Sequence, residues 1–376
     1  MPLEVQAGGL NGGTILMIAV LVLWPIVLAV VIFAVRWASH RFLYRHGKTF
    51  KMVTLLVTLP KFRREEETKE DSTTQKVQED ISVDETFFSA IAGLHAQRGV
   101  LPWLLGRSDN YAFEIVAHEK VIKFYATVPK RYQEFVEQQI TAQHPDAYVE
   151  QVDDFNIFSP TGTILGGYLK QSRESFFPIK TFRKLESDPL NSITNALSKV
   201  PEGDGVAIQY MVRPATPGWR KMGAKVGKNM LKGMSLNEAM KGRKKGTDLG
   251  SLVTGKKSDG GQEKSGSYYM TQTEQEMTKN IEEKISKGGL EVNIRVVVSA
   301  KGAEEAHDLL KDVMSAYAQY NIFEYGNALE KYIPLRKKHL IKKFIYRGFD
   351  ETRMCVFNTE EMASLFHLPL KTTETP

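Results

Sequence analysis

No Lys, Arg, Asp or Glu occurs from Val5 to Val35, and the centre of that stretch, residues 13–35, reads GTILMIAVLVLWPIVLAVVIFAV. As a helix these 23 residues would extend about 34 Å, enough for a hydrocarbon core of roughly 30 Å. Pro25 falls mid-span, where helix partners or a mild kink tolerate it. A cleaved signal peptide would need a basic start, a shorter apolar run and a small-residue cleavage site. Here the N-terminus carries Glu4 and no Lys or Arg, and the run closes on Arg36-Trp37. The expectation is an uncleaved single-pass anchor over 13–36, with Trp24, Pro25, Arg36, Trp37 and Arg41 as its anchor residues. Arg36, Arg41, Arg45, Lys48 and Lys51 follow the run with no acid before Glu65. By the positive-inside rule, residues 1–12 then lie outside, 37–50 form a basic juxtamembrane segment, and the bulk is cytoplasmic at the inner membrane.

The rest of the chain has material for a sizeable core. Of 376 residues, 42% are hydrophobic, which excludes wholesale disorder. One cysteine, Cys355, excludes an intramolecular disulfide framework and a cysteine-cluster metal site.

Residues 51–58 (KMVTLLVT) read as a strand, and 61–81 as an exposed acidic loop. Ser82, three residues before Glu85, reads as a capping box opening a helix along Phe87, Phe88, Ile91, Leu94 and His95. Two strands, 111–118 and 121–128, flank a tight turn at Glu119-Lys120. A helix after Pro129 carries Tyr132, Phe135, Val136 and Ile140, and 147–152 is a short strand. The order is βαββαβ, a ferredoxin-like unit over 51–158. It recurs over 159–330: a strand at 163–170, a helix from Asp188-Pro189, strands at 206–213 and 290–300, a helix at 303–320 and a closing strand at 321–325. The second unit is interrupted by an insertion at 214–270. The remainder, 331–376, reads as a basic helix at 334–347, a strand at 353–357 and a short helix from Thr359 capped by Asn358. The fold class is α+β: an N-terminal transmembrane helix and two ferredoxin-like units.

The net charge of +6 conceals a polarised chain. Residues 214–257 hold eleven Lys or Arg against two acids, and 65–85 nine acids against two Lys. In the insertion Trp219, Met222, Val226, Met230 and Met234 recur every three or four residues, while Arg220, Lys221, Lys225, Lys228 and Lys232 take other faces. Three readings stay open: docking on anionic lipid or a partner, contact with nucleic-acid phosphates, or a helix packed on its own domain with a solvated basic face. Gly223, Gly227 and Gly233 weaken intrinsic helicity, which favours folding on a surface. Residues 242–266 read as disordered. The basic helix at 334–347 reads as a solvated face over buried Leu335, Leu340, Ile341, Phe344 and Ile345. Trp103, Leu104 and Leu105 lie in a loop that either folds onto the domain or offers a protein contact.

No motif carries catalysis. Residues 250–257 match the spacing of a phosphate-binding loop but place Lys257 where the Mg²⁺-binding Ser or Thr belongs. Asp153-Asp154 reads as a turn or cap, His118-Glu119 lacks the second histidine of a zinc site, and Cys355 reads as core. No cofactor or metal is expected.

The apolar run, residues 123–158 (KFYATVPKRYQEFVEQQITAQHPDAYVEQVDDFNIF), 217–242 (PGWRKMGAKVGKNMLKGMSLNEAMKG) and 353–369 (RMCVFNTEEMASLFHLP) follow one another in an order that resembles a known module. This is the membrane-anchored N-terminal module of type IV secretion and conjugation coupling proteins, the HerA/FtsK-like translocating ATPases. In that family the module precedes a RecA-like motor, and this chain stops about where the motor would begin. The resemblance implies a non-catalytic subunit that anchors or positions a separate P-loop ATPase moving DNA or protein. The bilayer and that ATPase are the partners implied, with homo-oligomerisation and direct nucleic-acid contact left open. The alternative is a membrane-tethered module binding anionic lipid or nucleic acid through the basic insertion.

Overall fold

The computed structural model describes residues 12–46, 52–60, 74–241, 270–370 and 373. They fall into two compact bodies, a smaller one of residues 1–51 with 97–108 and a larger one of 52–96 with 109–376. The phosphate-loop-like stretch, most of the acidic loop and the stretch read as disordered lie outside the described residues.

In the smaller body, helix α1 runs through Gly12–His46 and a short helix, α3, spans Val100–Leu105. The expected anchor is corrected here: among the described residues, no helix is long and apolar enough to cross a membrane. Helix α1 does not stop at the end of the apolar run but continues through Arg36, Arg41 and Arg45. The transmembrane element of the fold class, the single-pass description, the inner-membrane localisation with its N-terminus outside, and the anchor roles of Trp24, Pro25, Arg36, Trp37 and Arg41 fall with it.

The larger body is α+β, built on one nine-stranded sheet in which every pairing is antiparallel. Its first half contains β1 (Met52–Thr58), α2 (Thr74–Gly93), β2 (Tyr111–His118), β3 (Val121–Pro129), α4 (Gln133–Gln143) and β4 (Tyr148–Val152). The second contains β5 (Thr163–Gln171), α5 (Leu190–Ser198), β6 (Gly205–Pro214), β7 (Gly289–Ala300), α9 (Ala303–Ser315) and β8 (Leu329–Tyr332). The strand order β4-β1-β3-β2-β6-β7-β5-β8 is the ferredoxin-like order 4-1-3-2 written twice, the second time reversed. The halves meet where β2 pairs with β6 over eight registered positions, Tyr111↔Val212 to His118↔Gly205. They are therefore halves of one sheet and one core.

Alternation sorts each strand's side chains between the faces. Phe113, Ile115 and Ala117 of β2, Val206, Ile208 and Tyr210 of β6, and Val292, Ile294 and Val296 of β7 face a helical layer, where they pack with Phe88 and Ile91 of α2, Ile140 of α4, Ile193 of α5 and Leu310 and Val313 of α9. The opposite face is covered by α10 (Lys337–Ile345), which seats Leu340 and Phe344 against Tyr125, Tyr168, Ala207 and Val297. Leu335 and Ile345, expected on the buried side of this helix, are exposed. The tail continues into β9 (Cys355–Asn358), which pairs with the start of β7. Helix α11 (Thr359–Leu365) follows, opened by a capping box between Asn358 and Glu361.

Three local expectations change. Helix α2 begins at Thr74, so Ser82 lies inside it and donates to the Glu79 carbonyl oxygen at 2.6 Å. The apolar series Val77, Ile81, Phe88 and Ile91 starts earlier than the capping motif suggests. The closing strand of the second half lies at Leu329–Tyr332 instead of 321–325, because a 3-10 turn occupies Ala316–Tyr320 and a loop follows. Residues 100–105, read as a loop, form α3.

Candidate docking surface on the inserted helices

The insertion between β6 and β7 folds as a helical hairpin. Helix α6 spans Gly218–Leu231, α7 spans Leu236–Lys241, and α8 spans Gln272–Ser286. Helix α8 starts at a capping box in which Thr271 and Glu274 satisfy each other's backbone N–H groups. Val226 and Met230 of α6 pack with Met277 and Ile281 of α8 and with Phe176 and Phe177 from the loop after β5. Gly223 makes the approach close: a Cβ there would sit 2.7 Å from Cγ2 of Ile285 and 3.0 Å from Cβ of Phe176. Trp219 is also buried, its ring lying over Gly289.

Most of the apolar stripe is thus core. Trp219, Val226 and Met230 are buried, Met222 is half-buried and Met234 is exposed. Arg220, Lys221, Lys225, Lys228 and Lys232 are all exposed. Lys221, Lys225, Lys228 and Lys232 fall at steps of four, three and four, so they form a single row about 17 Å long. Arg220 is held at the start of the helix, its Nη2 donating to the Lys287 carbonyl oxygen at 2.5 Å. Of the glycines expected to favour folding on an external surface, Gly223 serves the packing on α8, while Gly233 supplies the positive φ of 83° in the turn after α6.

In the smaller body, Trp103 is 51% exposed, and the Arg36 guanidinium lies 4.5 Å from its ring centroid. Ser39 Oγ donates to the Leu104 carbonyl oxygen at 2.8 Å. Trp103 and Leu104 therefore contact α1; Leu105 lies in the same short helix. Asp154 is no acid/base partner of Asp153, since its carboxylate takes two hydrogen bonds from Arg347, at 2.6 and 2.8 Å. Cys355 is buried in β9, which pushes its thiol up to about 12.

Residues that sequence reading passed over lie on the α10 side of the sheet. Glu114, Gln209 and Arg295 are register neighbours on β2, β6 and β7, flanked by Tyr125 and Tyr168. Gln209 Nε2 donates to Glu114 Oε1 at 2.6 Å, and Arg295 Nη1 donates to Gln209 Oε1 at 2.6 Å. From the turn after α10, Arg347 reaches Glu114 Oε2 at 3.0 Å. Burial opposes charge on Arg347, but Glu114 and Asp154 outweigh it and raise its pKa. Beside this row Arg213 joins Glu291 at 2.8 Å and Glu351 at 2.7 Å. On the helical side Lys284 and Glu361, both wholly buried, pair at 2.9 Å. Burial pushes the lysine down and the carboxyl up, so neither charge is held at ordinary strength. These groups are closed on one another, as structural ion pairs are. The period-2 pattern of E-V-N-I-R in β7, Glu291 to Arg295, was the available signal, and it reads equally well as an open face.

Among the described residues there is no group of three or more His, Cys, Asp or Glu placed to hold a metal ion. No curated protein matches the chain. The family model for a domain of unknown function, DUF8128, matches residues 61–376, and the chain belongs to that family.

Proposed function

We propose that the chain is a non-catalytic docking subunit that positions a separate P-loop ATPase, with the basic row of α6 as the contact. The observation that supports this most is the separation of roles on α6: an apolar side committed to α8 and a row of exposed cations presented on a fixed helix. The resemblance of 123–158, 217–242 and 353–369 to coupling-protein modules supplies the class of partner. Exposed cations favour an acidic partner surface and act mainly on association rate and orientation. Insertion into lipid fits less well, because Trp219, Val226 and Met230 would have to leave the core.

The test is affinity co-purification of the intact chain under native conditions, followed by identification of bound proteins. A P-loop ATPase is expected, lost when Lys221, Lys225, Lys228 and Lys232 are replaced by Glu and the melting temperature is unchanged. Repeated recovery without such an ATPase overturns the reading. The length of the α6 row supports one second reading, contact with duplex phosphates. It requires binding to a 20-base-pair duplex whose logarithmic affinity falls with the logarithm of salt at a slope near −0.9 per phosphate neutralised.

A further inference from the structure

A small cavity opens inside the first half of the larger body. Its walls are Val57, Phe87, Phe113, Phe124, Ile140 and Phe366, with Asp84 and His144 at one side. Its volume of about 20 Å³ holds one water-sized group. Asp84 is 3% exposed on α2, and His144 closes α4 with its side chain partly exposed, so the cavity approaches the surface beside the histidine. Asp84 Oδ1 lies 3.3 Å from His144 Nε2. Asp84 Oδ2 is buried without a hydrogen-bond partner among the described residues, and His144 Nε2 lacks one of good geometry. A buried carboxylate oxygen left unpaired costs free energy that a donor would recover.

We infer that this cavity is a binding site for the ammonium head of a small primary amine. A carboxylate oxygen calls for a donor, and a positive one answers its charge as well. The aromatic rings of Phe87, Phe113, Phe124 and Phe366 favour a cation over a neutral guest. The cavity admits the head group alone, so the carbon chain leaves by the rim at His144. No bond is made or broken; the head group donates to Asp84 Oδ2 and lies beside the imidazole.

The experiment is a thermal-shift and calorimetric titration of the full chain with n-butylammonium chloride. Sodium chloride and tetramethylammonium chloride, whose cation has no N–H, serve as controls. A saturable rise in melting temperature with butylammonium alone is expected, with affinity at least tenfold weaker in Asp84→Asn. Nα-acetyl-lysine amide runs in parallel. Binding there as well assigns the site to a lysine side chain, and binding of butylammonium alone assigns it to a free amine. A response equal to that of the controls overturns the inference, as does a crystal soaked in butylammonium that shows only a water on Asp84. Should Asp84→Asn fail to fold by circular dichroism, Ala126→Val, which narrows the same cavity, must abolish the response; a retained response overturns the site.

Discussion

Charge buried between two layers is governed by single partners. Glu114 is wholly buried, and Arg347 is its only ionic partner among the described contacts, held in a backbone conformation with φ of 48°. Removing one member strands the other in a low-dielectric site, which costs about 3–5 kcal/mol. Arg347→Met should therefore destabilise by that amount, and Glu114→Gln combined with Arg347→Met by clearly less; urea denaturation of the four proteins of the cycle measures it. Equal additive losses would show that the pair is not coupled. A second pair answers to pH. His367 Nε2 lies 2.9 Å from Asp188 Oδ1, and Thr373 Oγ1 donates to Asp188 Oδ2 at 2.6 Å. Burial opposes the imidazolium, but Asp188 outweighs it and raises the pKa above 6.5. Burial likewise opposes the carboxylate, and His367 with Thr373 outweighs it and lowers the pKa below 3.8. A raised histidine stabilises fully below its unfolded pKa and loses that contribution as pH rises through the folded value; the lowered carboxylate loses its contribution as pH falls through its own. Melting temperature should be highest between about pH 4 and 6.5 and fall on the alkaline side. His367→Gln should flatten that alkaline fall, as melts across a pH series would record.

Elements were legible where their periodicity was regular. Strands β2, β3, β5, β6 and β7 fall within a residue or two of the alternating runs that forecast them, and α5 begins at Leu190, two residues after Asp188, whose Oδ1 accepts the Leu190 N–H at 2.7 Å. The side on which a pattern is buried was not legible. The Trp/Met stripe of α6 has the same spacing whether it meets a partner or α8, and only the Phe176-Phe177 loop and Gly223 decide it. Gly223→Leu tests this directly. It should destabilise the hairpin by about 1–3 kcal/mol through overpacking. Hydrogen exchange should show earlier opening of α6 and α8, with β6 and β7 less affected. A neutral outcome would mean that α6 does not pack on α8 in solution. The two outermost strands, β4 and β8, are only five and four residues long and carry Glu150, Glu330 and Lys331. Short, charged edges discourage further strand pairing, so the outer ends of the sheet are poor sites for assembly and the inserted hairpin is the better one.

On the scale of the molecule, the tail is a structural keystone, a role the sequence disguised. Residues 359–365 read TEEMASL, a short polar helix, yet every one of them is buried. Thr181 Oγ1 donates to Glu360 at 2.5 Å, the Ile179 N–H to Glu361 at 2.8 Å, and the Phe182 N–H to Ser364 at 2.9 Å. No local pattern announces partners some 180 residues away. Phe366 reaches the first half through Phe88, Phe113 and Phe124 and the second through Tyr210, so it bridges the β2–β6 joint. Val356, Phe357, Met362, Leu365, Phe366 and Leu368 are all buried. At about 1.5–3 kcal/mol for each large apolar side chain, their gross contribution is roughly 9–18 kcal/mol. That is comparable to the whole net stability of a domain, about 5–15 kcal/mol. A chain ended after Arg353 should therefore lose cooperative unfolding and near-ultraviolet dichroism and bind a hydrophobic dye. A sharp thermal transition in that truncated chain would show that the two halves cohere without the segment. The isolated first half should fare no better, since it exposes the edge of β2, where seven of eight residues are buried. The βαββαβ repeat therefore describes the topology, while the unit that folds is the complete sheet together with its tail.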